Sequence, residues 1–127
     1  MRKKFREGFW RGFTYAFNGI AYALKHERNM KIHFAFTVLV IIAGLLFNIS
    51  KTEWIATLIC ISAVICAEMA NSAIELLSDR ITTEHDETIK RAKDISAGMV
   101  LIAATISATI GVIIFLPYFI KLISTCL

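Results

Sequence analysis

The chain has 127 residues, 57% of them hydrophobic, with a single proline and a net charge of +4; its mean hydropathy is +0.64. That is one domain at most, and it is too apolar for an ordinary soluble protein. The excess of 14 Lys and Arg over 10 Asp and Glu is answered by anionic headgroups and phosphates, so no nucleic acid is needed to explain it.

In chain order, residues 1–31 come first. Phe5, Phe9, Phe13, Ile20 and Leu24 recur at helical spacing, with Arg6, Arg11 and Asn18 interleaved. Aromatics on one side and cations on the other predict an amphipathic helix lying in the membrane interface. A helix packed on the bundle from the aqueous side is the alternative. No apolar core ends in a small-residue cleavage site, so no cleavable signal is expected. Residues 32–50 then carry no Asp, Glu, Lys or Arg over 19 positions, and residues 95–120 carry none over 26. Between them, Trp54 to Ala67 is also uncharged, and the apolar pattern runs on through Leu76 and Leu77. Each stretch is long enough to cross roughly 30 Å of hydrocarbon as a helix. The expected architecture is all-α integral membrane, with transmembrane spans at 32–50, 54–78 and 95–120 and a charged loop at 79–94.

Orientation follows from the cations. Eight precede the first span and four lie in the 79–94 loop, against one in 50–53 (Lys51) and one in the tail (Lys121). The N-terminus and the 79–94 loop therefore face the cytosol. Cys60, Cys66 and Cys126 have neither metal-ligand nor redox spacing and read as small apolar packers.

One segment does not fit a plain span. EMANSAIELLSDR, residues 68–80, puts two glutamates, an asparagine, a serine and an aspartate where lipid favours apolar side chains. Ionisable groups inside a membrane mark functional sites by default. On a helix turning about 100° per residue, Ser72, Glu75 and Asp79 fall within about 40° of Glu68, with Asn71 on the shoulder of the same face. Measured from Trp54 as the outer anchor, Glu68 lies about 21 Å along the axis and Glu75 about 31 Å. Glu68 is then shallowly buried below the cytosolic boundary and Glu75 is level with it. A shallowly buried carboxylate suits a proton acceptor. One at the waterline suits a hydrated divalent cation, which takes one or two carboxylates plus substrate phosphates. Arg80, Lys90, Arg91 and Lys93, beside Asp79 and Asp94, supply the cations that a triphosphate requires.

Other readings of the same residues stand beside this one. Asn71 and Ser72 also suit hydrogen bonding between membrane helices in a non-catalytic assembly subunit, and Glu68 alone suits a small proton-coupled transporter. The 79–94 loop reads equally as a solvated connector. HERNMKIH (26–33) lacks metal-site spacing, which disfavours a metal site there. Because Asn71 and Glu68 need cover from hydrocarbon, the small residues of the third span (Ser96, Ala97, Gly98, Ala103, Ala104, Ser107, Ala108, Gly111) predict close helix approach.

Four motifs together, ERNMKIH, SKTEWI (50–55), EMANSAIE (68–75) and AKDISAGMVLIA (92–103), resemble the small prokaryotic diacylglycerol kinase family. With the tail GVIIFLP (111–117) they are most similar to its undecaprenol kinase branch. The resemblance covers nearly the whole chain. It implies a homotrimer of three-span subunits with a surface helix and sites shared between subunits, in the bacterial cytoplasmic membrane. It implies ATP-dependent phosphorylation of a lipid alcohol, undecaprenol or diacylglycerol, with Mg²⁺. Glu68 matches the family's catalytic base, with Asn71 and Ser72 as polar support. Glu75 matches a metal-binding carboxylate and Glu27 a second one, on the surface helix and favoured to come from a neighbouring subunit. Lys93 and Asp94 match the nucleotide-phosphate element, and Asp79, Glu27 and Glu75 complete the nucleotide side. Glu84-His85-Asp86 departs from the Glu-Tyr-His of many relatives, and Ser72 replaces a threonine common in the branch while keeping the hydroxyl.

Overall fold

The computed structural model describes residues 2–126, with the side chains of residue 8 and of residues 10–125. Four helices follow in order: α1 (Arg2–His26), α2 (Arg28–Phe47), α3 (Lys51–Ile81) and α4 (Glu87–Cys126). The last three are long and apolar enough to cross a membrane. α3 and α4 form the main hairpin, α2 lies against α3, and α1 touches α2 and α3.

Each joint has a local cause. Between α1 and α2 only Glu27 leaves the helix, at φ −91° and ψ 122°. Its N–H still bonds the Ala23 carbonyl and its own carbonyl accepts from Lys31. Glu27 is therefore a joint residue, where the sequence reading put it within the surface helix. α2 ends at Asn48, in the left-handed region at φ 50°. Asn tolerates that conformation because its short polar side chain bonds locally. The Asn48 N–H then reaches the Leu45 carbonyl and the Ile49 N–H that of Gly44. α3 starts at once with a capping box: Ser50 N–H donates to Glu53 Oε2 at 2.7 Å and Glu53 N–H to Ser50 Oγ at 3.3 Å. These bonds from Ser50, with one from Tyr118, hold the Glu53 carboxyl below its ordinary range.

The tight α2–α3 turn leaves no room at Gly44. A Cβ there would stand 2.8 Å from Trp54 Cη2 and 3.2 Å from Ile49 Cδ1. Gly44→Ala should lower the thermal unfolding midpoint in detergent, at a cost of about 1–3 kcal/mol for overpacking against a rigid ring. An unchanged midpoint would mean that the indole moves aside freely. The third joint is shorter than the expected 79–94 loop. Helix persists to Ile81 and resumes at Glu87, leaving only residues 82–86 outside helices. Asp86 Oδ1 accepts from the N–H groups of Thr88 and Ile89, at 2.8 and 3.0 Å. It thereby caps the restarted helix.

The interior is polar and the exterior apolar. Four hydrophobic side chains are buried among the described residues (Ala23, Met30, Ile49, Ile114), against six polar ones (Thr57, Glu68, Asn71, Ser72, Ser78, Ser96). Leu45, Leu46, Leu77, Leu101 and Ile113 are among many exposed large aliphatics. A chain whose solvent is lipid has little to gain by burying leucine and much by hiding polar groups. Residues 10–22 of α1 are all exposed, and among its described side chains only Ala23, close to the joint, is buried.

Candidate functional site

The polar stripe of α3 is its buried face. Glu68 is 2% exposed, Asn71 and Ser72 are 5% exposed and Ser78 4%. Glu75 is half-buried. Their spacing of three and four residues places them on one side of the helix, and the neighbouring helices cover that side.

α4 covers the Asn71 level. Ser96, fully buried, donates from Oγ to Asn71 Oδ1 at 2.7 Å and also lies 2.8 Å from the Lys93 carbonyl. Asn71 Nδ2 in turn donates to Glu75 Oε1 at 3.1 Å. One serine thus orients an amide, and the amide orients a carboxylate. Ser96→Ala should cost about 1–3 kcal/mol, because it strands a buried acceptor; thermal unfolding reads it. An unchanged midpoint would make the Ser96–Asn71 bond dispensable. Of the small α4 residues expected to allow close approach, Ser96 meets Asn71 and Ser107 lies 3.3 Å from the Cys60 carbonyl, whereas Gly98 and Gly111 have open space beside them. A Cβ on either would meet nothing within 4 Å.

At the hairpin's end, Lys93 Nζ donates to Asp79 Oδ1 at 2.7 Å. That bond holds the Lys93 ammonium above its ordinary range, and Lys93 also feels the charge of Glu75. Asp94 is exposed beside it, as are Arg80, Lys90 and Arg91.

α2 covers Glu68, and here the structure adds what the sequence reading missed. His33 Nε2 lies 3.9 Å from Glu68 Oε2, and the Asn29 side chain lies beside the same carboxyl. Asn29, His33 and Thr37 are four residues apart and share a face. That polar repeat is the available signal, although the segment has no metal-site spacing. Glu68 Oε2 is shut off from solvent and has no hydrogen-bond partner among the described residues. Glu27 and Glu75 are near enough to act electrostatically on Glu68.

An intramembrane groove of about 330 Å³ runs between α2, α3 and α4. His33 lines one end; Val40, Thr57 and Phe115 line the depths. Its volume is at the small end of the range for ligand sites.

The donor set can be tested against a divalent cation. Among the described residues no three His, Cys, Asp or Glu side chains gather to cage a metal. Glu27 makes no side-chain bond to the start of α2, and Asn71 occupies only one oxygen of Glu75. Both therefore keep carboxylate oxygens, the hard donors that Mg²⁺ takes together with phosphates and water.

Comparison with known proteins converges on the same chemistry. A family model described as prokaryotic diacylglycerol kinase matches residues 14–115. The undecaprenol kinase of Bacillus subtilis (strain 168) is 39% identical over 109 residues, covering 86% of this chain and 89% of that protein. A diacylglycerol kinase of Synechocystis is 31% identical over 124 residues, covering 91% and 71%. Another, from Haemophilus influenzae, is 34% identical over 93 residues, covering 72% and 78%. These matches remove the transporter and assembly-subunit readings. With a family model over most of its length and a 39% identical undecaprenol kinase among its relatives, the chain belongs to the prokaryotic diacylglycerol kinase family, on its undecaprenol kinase branch, and is a lipid kinase.

Proposed function

We propose that the protein transfers the γ-phosphoryl group of ATP to the primary hydroxyl of a membrane lipid alcohol, undecaprenol in the first place and diacylglycerol as the alternative. The observation that carries this is Glu68 Oε2, a buried acceptor with no partner among the described residues, 3.9 Å from the His33 ring that lines an intramembrane groove. In this reading the spans cross the bacterial cytoplasmic membrane with Glu27, Glu75 and Lys93 on the cytosolic side. Three copies assemble as a homotrimer, which would cover more of the apolar surface.

Glu68 takes the hydroxyl proton as the lipid oxygen attacks the γ-phosphorus. Asn71 and Ser72 hold the polar face of α3 in register, so that the base keeps its position. Lys93, released from Asp79, and the backbone near Asp94 meet the phosphates. Glu27 and Glu75 would hold Mg²⁺, which would supply charge neutralisation when nucleotide is bound. Phosphoryl transfer asks mostly for positioning and electrostatics, so a site this small suffices.

The test uses purified protein in mixed micelles with radiolabelled ATP and either undecaprenol or dioleoylglycerol. The expected result is labelled lipid phosphate that requires both lipid and Mg²⁺. Failure to label either lipid would overturn the reading.

A further inference from the structure

His33 occupies a position that the roles above do not use. Its ring lines the cytosolic end of the intramembrane groove, and its Nε2 points to Glu68 Oε2. The side chain is 22% exposed, whereas that of Glu68 is 2% exposed. The imidazole thus connects the groove to Glu68, which does not itself line it. The separation of 3.9 Å is too long for a direct hydrogen bond. It does match two groups that hold one hydroxyl between them. An oxygen about 2.8 Å from each atom lies off the line joining them, with roughly a right angle at the oxygen. A small turn of the ring, a motion ordinary for a part-exposed side chain, admits it from the groove side.

We propose that His33 is the second anchor of the lipid hydroxyl: the alcohol donates its O–H to Glu68 Oε2 and accepts Nε2–H from His33, while its hydrocarbon chain lies in the groove between α2, α3 and α4. This rests on the reading of the protein as a lipid-alcohol kinase. The groove suits one apolar chain. Val40, Ile61, Val64, Ile114 and Phe115 offer it hydrocarbon, and His33 is the group at its end nearest Glu68. A hydroxyl has one proton and two lone pairs. The proton goes to Glu68, one lone pair is held by His33, and the other is left for phosphorus. On transfer the new O–P bond forms and the bond from the γ-phosphorus to its bridging oxygen breaks. ADP leaves with that oxygen, and the hydroxyl proton stays on Glu68. His33 keeps its own proton throughout, so it orients and does not act as the base. The carboxylate favours the Nε2–H tautomer that this role needs.

Two variants separate this role from a structural one. His33→Phe keeps a ring of similar size and loses the donor; His33→Gln keeps an N–H donor on a flexible stem. For His33→Phe, kcat/KM for undecaprenol should fall about tenfold, as for a lost hydrogen bond to a buried group, with KM for MgATP unchanged. His33→Gln should recover most of the loss. The inference is overturned if His33→Phe keeps wild-type kcat/KM for lipid. It is also overturned if both variants lose lipid and nucleotide parameters alike with a lowered unfolding midpoint, since that is the signature of packing alone. Wild-type protein that labels no lipid alcohol would instead remove the kinase reading on which the inference stands, so the two failures are distinguishable.

Discussion

Glu68→Gln should leave a folded, assembled protein that has lost most of its turnover, with kcat down by about 10² to 10⁴, the usual contribution of a general base. The amide matches the carboxylate in shape, so packing against α2 is kept. Removing the charge strands no buried cation, because the partner at 3.9 Å is a histidine that is charged only if protonated. What the amide cannot do is take a proton. The unpartnered Oε2 marks the atom concerned, since a buried acceptor normally finds a donor and this one is left open towards His33. KM for MgATP should barely move, because the nucleotide contacts proposed above lie on other side chains. Wild-type kcat in a variant with an unchanged unfolding midpoint would remove Glu68 from the proton-transfer step.

Much of this arrangement was legible in the sequence, for reasons that differ by residue. The α3 stripe was readable because charged and amide groups recur every three or four residues inside an apolar segment, and lipid makes such a pattern costly unless it is hidden. The uncharged runs were readable for the same reason in reverse. Helix limits were less so. The absence of charge marks the part that lies in hydrocarbon, whereas the helices run past it into water: α3 reaches Ile81 and α4 begins at Glu87. There, short side chains set the boundaries, with Thr82 Oγ1 accepting from the Glu84 N–H and Asp86 capping α4. His33 was missed because a neutral histidine does not interrupt an apolar run, and its significance comes from α3, across the interface. Glu27 was matched from the family motif. Its place at a one-residue joint depends on how α1 turns into α2, which no periodicity announces.

The placement of Glu27 leads to the second large effect. Glu27→Ala and Glu75→Ala should each raise the Mg²⁺ concentration for half-maximal activity by about tenfold or more, since even the outer partners of metal ligands are worth 10- to 100-fold. Glu75 keeps a second oxygen while Asn71 steadies the first, and Glu27 makes no capping bond that would compete. A Mg²⁺ titration that is unchanged in both variants would return Glu75 to the status of an interface residue. The same two positions decide how the site is divided among subunits. In the proposed reading one chain supplies all three carboxylates, since Glu27 and Glu75 both contribute to the electrostatics of Glu68 within a single chain. Inactive Glu27→Ala and Glu68→Gln subunits, co-assembled and shown by cross-linking to share oligomers, should therefore fail to restore activity. In such a mixture every chain lacks either its base or one of its metal ligands. Recovery towards the activity expected for mixed sites would mean that α1 and the joint reach across to a neighbour, with Glu27 serving the Glu68 of another chain. The exposed length of α1 from residue 10 to residue 22 makes such reach sterically open, but the electrostatic influence of Glu27 on Glu68 within one chain favours the single-chain site.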